Sequence, residues 1–140
     1  MPRRGYSSLS DILLDTCAVI WLANKLPMSS ESRSTIRLSQ LRVSPISVWE
    51  IGNLVRKKRI SLATQPAVWF RIAMSQMEAV LTDLDVDILA DSCALPGKPP
   101  NDPADRIIIA TARENDMTVV TRDRLILDYA GASHVRAMAC

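Results

Sequence analysis

Four acidic residues interrupt or border the apolar runs of this 140-residue chain. They are Asp15 after the run 12–14, Glu50 inside the helix-like stretch 46–54, Asp105 before the run 107–109, and Asp123 just past 119–121. A carboxylate beside an apolar core finds a donor, shifts its pKa or binds a cation, and several converging carboxylates favour the cation. Magnesium-dependent chemistry on phosphate is the leading hypothesis, because Mg²⁺ prefers hard oxygen ligands and supports phosphodiester hydrolysis.

Each of these acids also has an ordinary structural explanation. Asp15 could cap the helix that starts at Thr16, and Asp105 suits the first turn of a helix. Glu50 could form a salt bridge with a neighbouring helix, although an acid on an apolar helical stripe is uncommon. Asp123 could serve only in a turn. The hypothesis of a shared site depends on their joint placement.

Short apolar strands alternate with helices along the chain, which predicts an α/β fold with a parallel sheet and right-handed connections. We expect strands at 11–15, 41–44, 80–82, 117–121 and 133–137. We expect helices at 16–24 and 30–40, from Pro45 to the basic cluster 56–59, from Pro66 through Met77, briefly within 85–95, and from a cap at Asn101 or Asp102 to Asn115. The proline-rich segment 96–100 must be a loop.

This arrangement predicts one pocket for all four acids. Ligands of open parallel sheets bind beyond the carboxyl ends of the strands, where Asp15 and Asp123 fall. The helix that opens near Asp102 would aim Asp105 at the same edge. Glu50 lies four residues from both Ile46 and Leu54 and shares their inward-facing stripe. Thr16, Ser47 and Thr121 would orient ligands or waters.

Composition indicates one soluble globular domain at 11–140 after a polar lead-in at 1–10, with 48% hydrophobic and 23% charged residues and a net charge of +2. The three cysteines include no C-x-x-C pair and His134 is the lone histidine, which disfavours zinc sites and disulfides and fits a reducing cytoplasm. No run is long enough to span a bilayer, and Asp15 interrupts the apolar stretch that a secretory signal would need.

Two further features have competing interpretations. The cluster 56–59 could bind nucleic-acid phosphates, but cations are expected at a helix C-terminus anyway. Trp21, Trp49 and Trp69 could stack on bases, but they fall among aliphatic residues at helical spacing, which favours the core.

Four segments together resemble one known family. They are Leu13-Leu14-Asp15-Thr16, the segment 44–51 (SPISVWEI), the segment 102–112 (DPADRIIIATA) and Val119-Val120-Thr121-Arg122-Asp123. In this order they are similar to PIN domains, especially the VapC-type toxins of bacterial toxin-antitoxin pairs, over residues 11–137.

The resemblance implies an α/β/α sandwich with a central parallel sheet, usually homodimeric, that acts as a Mg²⁺- or Mn²⁺-dependent endoribonuclease. Carried over by position, the catalytic and metal-binding acids are Asp15, Glu50, Asp105 and Asp123, with Asp102 assisting Asp105. A partner antitoxin would hold the enzyme inactive. The sequence departs from the family pattern in its polar residues before Asp11 and its proline-rich stretch before Asn101.

The interpretation is therefore a cytoplasmic endoribonuclease, the toxin of a type II VapBC-like pair, that hydrolyses RNA with a metal-activated water. One alternative is a non-catalytic RNA- or protein-binding module on the same fold. Another is an aspartyl-phosphate receiver domain with Asp83 as the phosphate acceptor. That interpretation needs a lysine after the last strand, and this sequence has no suitable lysine there.

Overall fold

The computed structural model describes residues 11–140, so the lead-in predicted at 1–10 lies outside the described residues. A five-stranded, all-parallel sheet has the order β3-β2-β1-β4-β5. Its strands are β1 (Asp11–Leu14), β2 (Gln40–Val43), β3 (Val80–Leu81), β4 (Thr118–Thr121) and β5 (Arg136–Ala139). The predicted α/β class and parallel sheet are confirmed.

Seven helices are present in the described part of the chain. They are α1 (Thr16–Ala23), α2 (Ser30–Arg37), α3 (Ile46–Arg56), α4 (Pro66–Met77), α5 (Val86–Ser92), α6 (Pro103–Asn115) and α7 (Arg124–Gly131). Side-chain oxygens accept backbone N–H groups at the starts of α1, α2, α5, α6 and α7, which satisfies donors that a helix leaves free.

The helices cover both faces of the sheet because alternate strand residues point to opposite sides. Ile12 and Leu14 pack with Val120 in one core, to which α1, α2, α3 and α4 contribute. Leu13 and Val119 pack in a second core with α6 and α7. The strands are buried on both faces, which explains why they read as continuous apolar runs.

Strand order reverses at β1, which pairs with β2 on one side and β4 on the other. Both β1 and β4 end at the same edge, where the Asp15 backbone N–H donates to the Val120 carbonyl at 3.1 Å. This edge is the place where open parallel sheets bind ligands.

Three expectations from the sequence were wrong or displaced. Helix α7 lies outside the sequence prediction, which offers only a turn as the ordinary structural role of Asp123; the residue is instead the N-cap of that helix. The last strand begins at Arg136 instead of Ser133. Trp49 is 56% exposed and is not a core residue. No helix among the described residues combines the length and apolar character needed to cross a membrane.

Candidate metal-binding site

Asp15 is a buried carboxylate, only 2% exposed, at the end of the central strand β1. One of its oxygens accepts the Ala18 N–H at 2.8 Å and caps α1, and the other accepts the Thr121 hydroxyl. Burial raises the pKa of Asp15 to about 6, although both hydrogen bonds oppose the rise and the charge of Asp123 adds to it. Asp15 is therefore a helix cap, as the ordinary explanation held, and also a carboxylate that is costly to ionise.

Glu50 reaches the same edge from α3 and is oriented by two hydroxyl groups. The Thr16 hydroxyl donates to the Glu50 carboxylate, and the Ser47 hydroxyl lies 2.9 Å from that of Thr16. A hydroxyl has one proton, so while Thr16 donates to Glu50 it can accept from Ser47. Since Thr16 and Ser47 are both buried, this chain fixes the rotamer of Glu50.

Glu50 forms the tightest acidic group with two residues at the start of α6. One carboxylate oxygen each from Glu50, Asp102 and Asp105 lies within 4.8 Å of the others. Asp102 caps α6 by accepting the Asp105 N–H at 3.0 Å, and Pro103 at the helix start pre-sets the first turn. Asp102, which the sequence placed only in a supporting role, is thus part of the close trio.

Asp123, at the start of α7, lies outside this close trio but acts on it through its charge. Its carboxylate accepts the Leu125 N–H at 2.8 Å, and its own N–H donates to the Thr121 hydroxyl oxygen at 2.9 Å. Because Thr121 also donates to Asp15, this one buried hydroxyl ties together the acids that follow β1 and β4.

The charges of these acids act on one another. Burial, together with the negative charges of Asp102, Asp123, Glu50 and Asp15, raises the pKa of Asp105 to about 8. The pKa of Glu50 is raised too, first by burial, although the hydrogen bond from Thr16 opposes the shift. The structure therefore brings all four predicted acids, and Asp102, to one mutually repelling cluster, while their roles as ligands and catalysts stay a prediction.

This donor set fits Mg²⁺ or Mn²⁺. All the candidate ligands are carboxylate oxygens, the hard donors that these ions prefer. A divalent cation would relieve both the mutual repulsion and the cost of burying ionised carboxylates. The residues that would hold it are Glu50, Asp102 and Asp105, with Asp15 and Asp123 beside them.

Cys17 is a neighbour of the site that the sequence analysis did not single out. Burial of its thiol, together with the charges of Asp15, Glu50, Asp105 and Asp123, raises its pKa to about 12, even though part of the residue is exposed. The thiol therefore stays protonated at neutral pH in the metal-free protein. In the sequence, only the position of Cys17 directly after Thr16 indicated that it would lie near the site.

Two other locations, a cavity and Asp83, lie away from the acidic cluster. A cavity of about 800 Å³ lies at the start of β4 and β5, at the opposite end of these strands, and is lined in part by Arg113, His134 and Arg136. Asp83, the acceptor in the receiver-domain alternative, follows the edge strand β3, two strands away from β1. At about 4.8 Å between strands, β3 lies roughly 10 Å from β1, the strand that ends at Asp15.

Comparison with known proteins agrees with this geometry. The sequence profile of the PIN domain matches residues 12–132. Ribonuclease VapC22 of Mycobacterium tuberculosis (strain ATCC 25618 / H37Rv) is 32% identical over 124 residues, which cover 86% of this chain and 93% of that protein.

Similar folds occur in solved toxin-antitoxin structures. VapBC2 from Rickettsia felis bound to a promoter DNA fragment superposes with a TM-score of 0.66 at 17% identity, covering 93% of this chain and 98% of the matched chain. DNA-bound VapBC from Salmonella typhimurium gives a TM-score of 0.61 at 20% identity, with coverage of 94% and 98%. At these identities the structural likeness establishes the fold alone.

Proposed function

This chain belongs to the PIN domain family, and from that premise we propose that it is a metal-dependent endoribonuclease and the toxin of a VapBC-like pair. The observation that carries the proposal is the convergence of Asp15, Glu50, Asp105 and Asp123, with Asp102, at the carboxyl edge of the sheet. A related chain of nearly the same extent is named a ribonuclease, which supports RNA as the substrate.

The acidic residues would have two different roles at the metal site. Glu50, Asp102 and Asp105 would hold Mg²⁺ or Mn²⁺, while Asp15 and Asp123 orient ligands and waters from the strand ends. When bound, the ion supplies activation of water and neutralisation of charge on the phosphate. Thr121 fixes Asp15, which removes rotamer freedom from the buried carboxylate.

The hydroxyl chain from Ser47 through Thr16 keeps Glu50 in one orientation before substrate arrives. Preorganised groups of this kind need no rearrangement during the reaction, which is how an enzyme stabilises a transition state more than a ground state. The burial of Thr16 and Ser47 protects this chain of hydrogen bonds from competing water.

The test is cleavage of a single-stranded RNA by the parent protein and by Asp15→Asn and Glu50→Gln variants in Mg²⁺. We expect both variants to lose cleavage, and we expect parent products with a 5′-phosphate and a 3′-hydroxyl. Asp83→Asn is the matched control, because Asp83 also follows a strand but lies outside the acidic cluster. Undiminished cleavage by both site variants would refute the site assignment.

The toxin role has its own test. Several structures with this fold are complexes of a toxin with its antitoxin, which supports a protein partner for this chain. Induction of the chain alone should arrest growth, and co-expression of the product of a neighbouring small reading frame should relieve the arrest. Growth arrest that persists unchanged in the Glu50→Gln variant would show that the toxicity does not come from the proposed nuclease site.

The alternative function, a non-catalytic binding module on the same fold, makes a different prediction. Its acids would serve as caps and hydrogen-bond acceptors, so Mg²⁺ would not raise its stability through these carboxylates. The raised pKa of Asp105, to which four neighbouring carboxylates contribute, favours the metal-binding proposal, because caps alone do not require so many carboxylates to face one another.

A further inference from the structure

The outer face of α3 differs from what its sequence predicts, because its tryptophan is turned to solvent. Trp49 is 56% exposed. The other two tryptophans are partly buried: Trp21 donates its indole N–H to the Pro27 carbonyl at 2.8 Å and lies under Arg122, and Trp69 packs against the core. A solvent-facing aromatic of this size has a flat surface available for a partner.

Trp49 directly precedes Glu50, a member of the acidic cluster, on α3. Their Cα atoms are therefore about 3.8 Å apart, although their side chains leave the helix in different directions. The buried side of α3 is occupied by Ser47 and Ile51, and Trp49 is on another face of the helix. A partner that contacts Trp49 is therefore held within roughly 10 Å, about the diameter of a helix, of the group that would bind metal.

The same helical face continues toward a cationic end. Gly52, Asn53 and Arg56 follow Trp49 at spacings of three, four and seven residues, which places them on one side of a helix. A side-chain carbon built at Gly52 would meet no atom within 4 Å, so the space beside the indole is open. Asn53 accepts two hydrogen bonds from the Arg56 guanidinium, at 3.2 and 3.3 Å, and holds that group on this face.

Arg56 begins a run of four exposed cations, residues 56–59. Arg56, the last residue of α3, lies about 10 Å along the helix axis from Trp49 at 1.5 Å per residue, and the other three cations follow it. An aromatic platform next to a cationic track is the combination that binds single-stranded nucleic acid, through base stacking and phosphate contacts. This cationic end of the helix disfavours a positively charged or purely apolar partner and favours a polyanion.

We propose that the outer face of α3, defined as Trp49, Gly52, Asn53 and Arg56 with the adjoining cations 57–59, is a binding surface for single-stranded RNA in which Trp49 stacks on a base. This inference rests on the proposed nuclease function for the identity of the polyanion. Trp49 orders one nucleotide beside the acidic cluster, and the cations hold the phosphates that lead away from it.

The test is binding of a fluorescein-labelled single-stranded oligoribonucleotide of mixed sequence, measured by anisotropy in an Asp105→Asn background with Mg²⁺. Trp49→Ala should weaken binding about tenfold, the order of one base-stacking contact, and Trp49→Phe should keep most of the affinity. Ile72→Ala is the matched control, because Ile72 is a similarly exposed apolar residue, at 48%, on α4. Arg56→Gln should reduce the salt dependence of binding by about one phosphate contact.

A second readout does not depend on the stability of the alanine variant. RNA should quench the tryptophan fluorescence of the Asp105→Asn protein, and the quenching should largely vanish in Asp105→Asn with Trp49→Phe. Unchanged affinity and unchanged quenching would overturn the proposal. So would a loss of affinity that appears only together with a change in sedimentation, since Trp49 would then belong to a contact between copies of the chain. If the parent protein binds RNA through Trp49 but does not cleave it, the proposed nuclease function is wrong and the proposed RNA-binding surface is still supported.

Discussion

Replacing Asp15 by asparagine should stabilise the metal-free protein at high pH and not at low pH. Asp15 is 2% exposed, and burial raises its pKa from the ordinary value of 3.8 to about 6. A folded-state pKa above the unfolded one means that ionisation opposes folding. The stability contributed by the neutral carboxyl is full below pH 4 and is lost as the pH rises through 6.

The size of this effect follows from the two pKa values. A rise from 3.8 to about 6 corresponds to about 3 kcal/mol, because one pKa unit is worth about 1.4 kcal/mol. Asparagine keeps a carbonyl oxygen to accept the Ala18 N–H but cannot accept the Thr121 proton in the same way, at a cost of about 1 kcal/mol. We therefore expect Asp15→Asn to be about 2 kcal/mol more stable than the parent at pH 8 and about 0.5 kcal/mol less stable at pH 4, where the carboxyl of the unfolded chain is already partly ionised.

The assay is urea denaturation of both proteins in EDTA at several pH values between 4 and 8, with the free energy of unfolding compared at each. Saturating Mg²⁺ should then stabilise the parent more than the variant, because the bound ion takes over the neutralisation that the mutation supplies. A stability difference between the two proteins that does not change with pH would refute the reasoning, since the carboxylate would then carry no ionisation cost.

Two further predictions concern the hydroxyl chain and the glycines. Thr16→Val removes the donor to Glu50 with little change in shape, so calorimetric titration should show Mg²⁺ affinity lowered about tenfold, and equal affinity would mean that the hydroxyl does not orient the carboxylate. Gly97 has φ of +69° and its added Cβ would lie 2.5 Å from His134 Nε2, so Gly97→Ala should lower the free energy of unfolding by at least about 1 kcal/mol in urea. Gly52→Ala is its control, since an open site inside a helix should instead gain about 0.5–1 kcal/mol.

The sheet and the convergence of the acids could be predicted from the sequence because their signals are local. The run Ile12-Leu13-Leu14 reads as a strand buried on both faces, and Asp15 ends it. Pro103 after a capping Asp102 fixes the start of α6 and hence the direction of Asp105. Once the strands are parallel, their carboxyl ends must share an edge.

Features that depend on tertiary packing could not be predicted in the same way. Helix α7 is short, and its burial of Ile126 and Tyr129 three residues apart was masked by the turn-like sequence around Asp123. The exposure of Trp49 depends on which sides of α3 are covered by α1, α4 and α6, which periodicity alone does not state.

The choice between Asp102 and Asp105 shows the same limit. Both lie at the start of α6, and sequence spacing cannot tell which carboxylate meets Glu50. The structure brings both within reach, because the capping geometry of Asp102 leaves its side chain beside the first turn that carries Asp105.

The most direct test of the metal-binding claim is Mn²⁺ binding followed by electron paramagnetic resonance of the free ion. The parent protein should bind Mn²⁺ in competition with Mg²⁺, Asp83→Asn should bind it equally well, and a variant with Glu50→Gln and Asp105→Asn should bind it at least about tenfold more weakly. Equal Mn²⁺ affinity in the parent and the double variant would contradict the account.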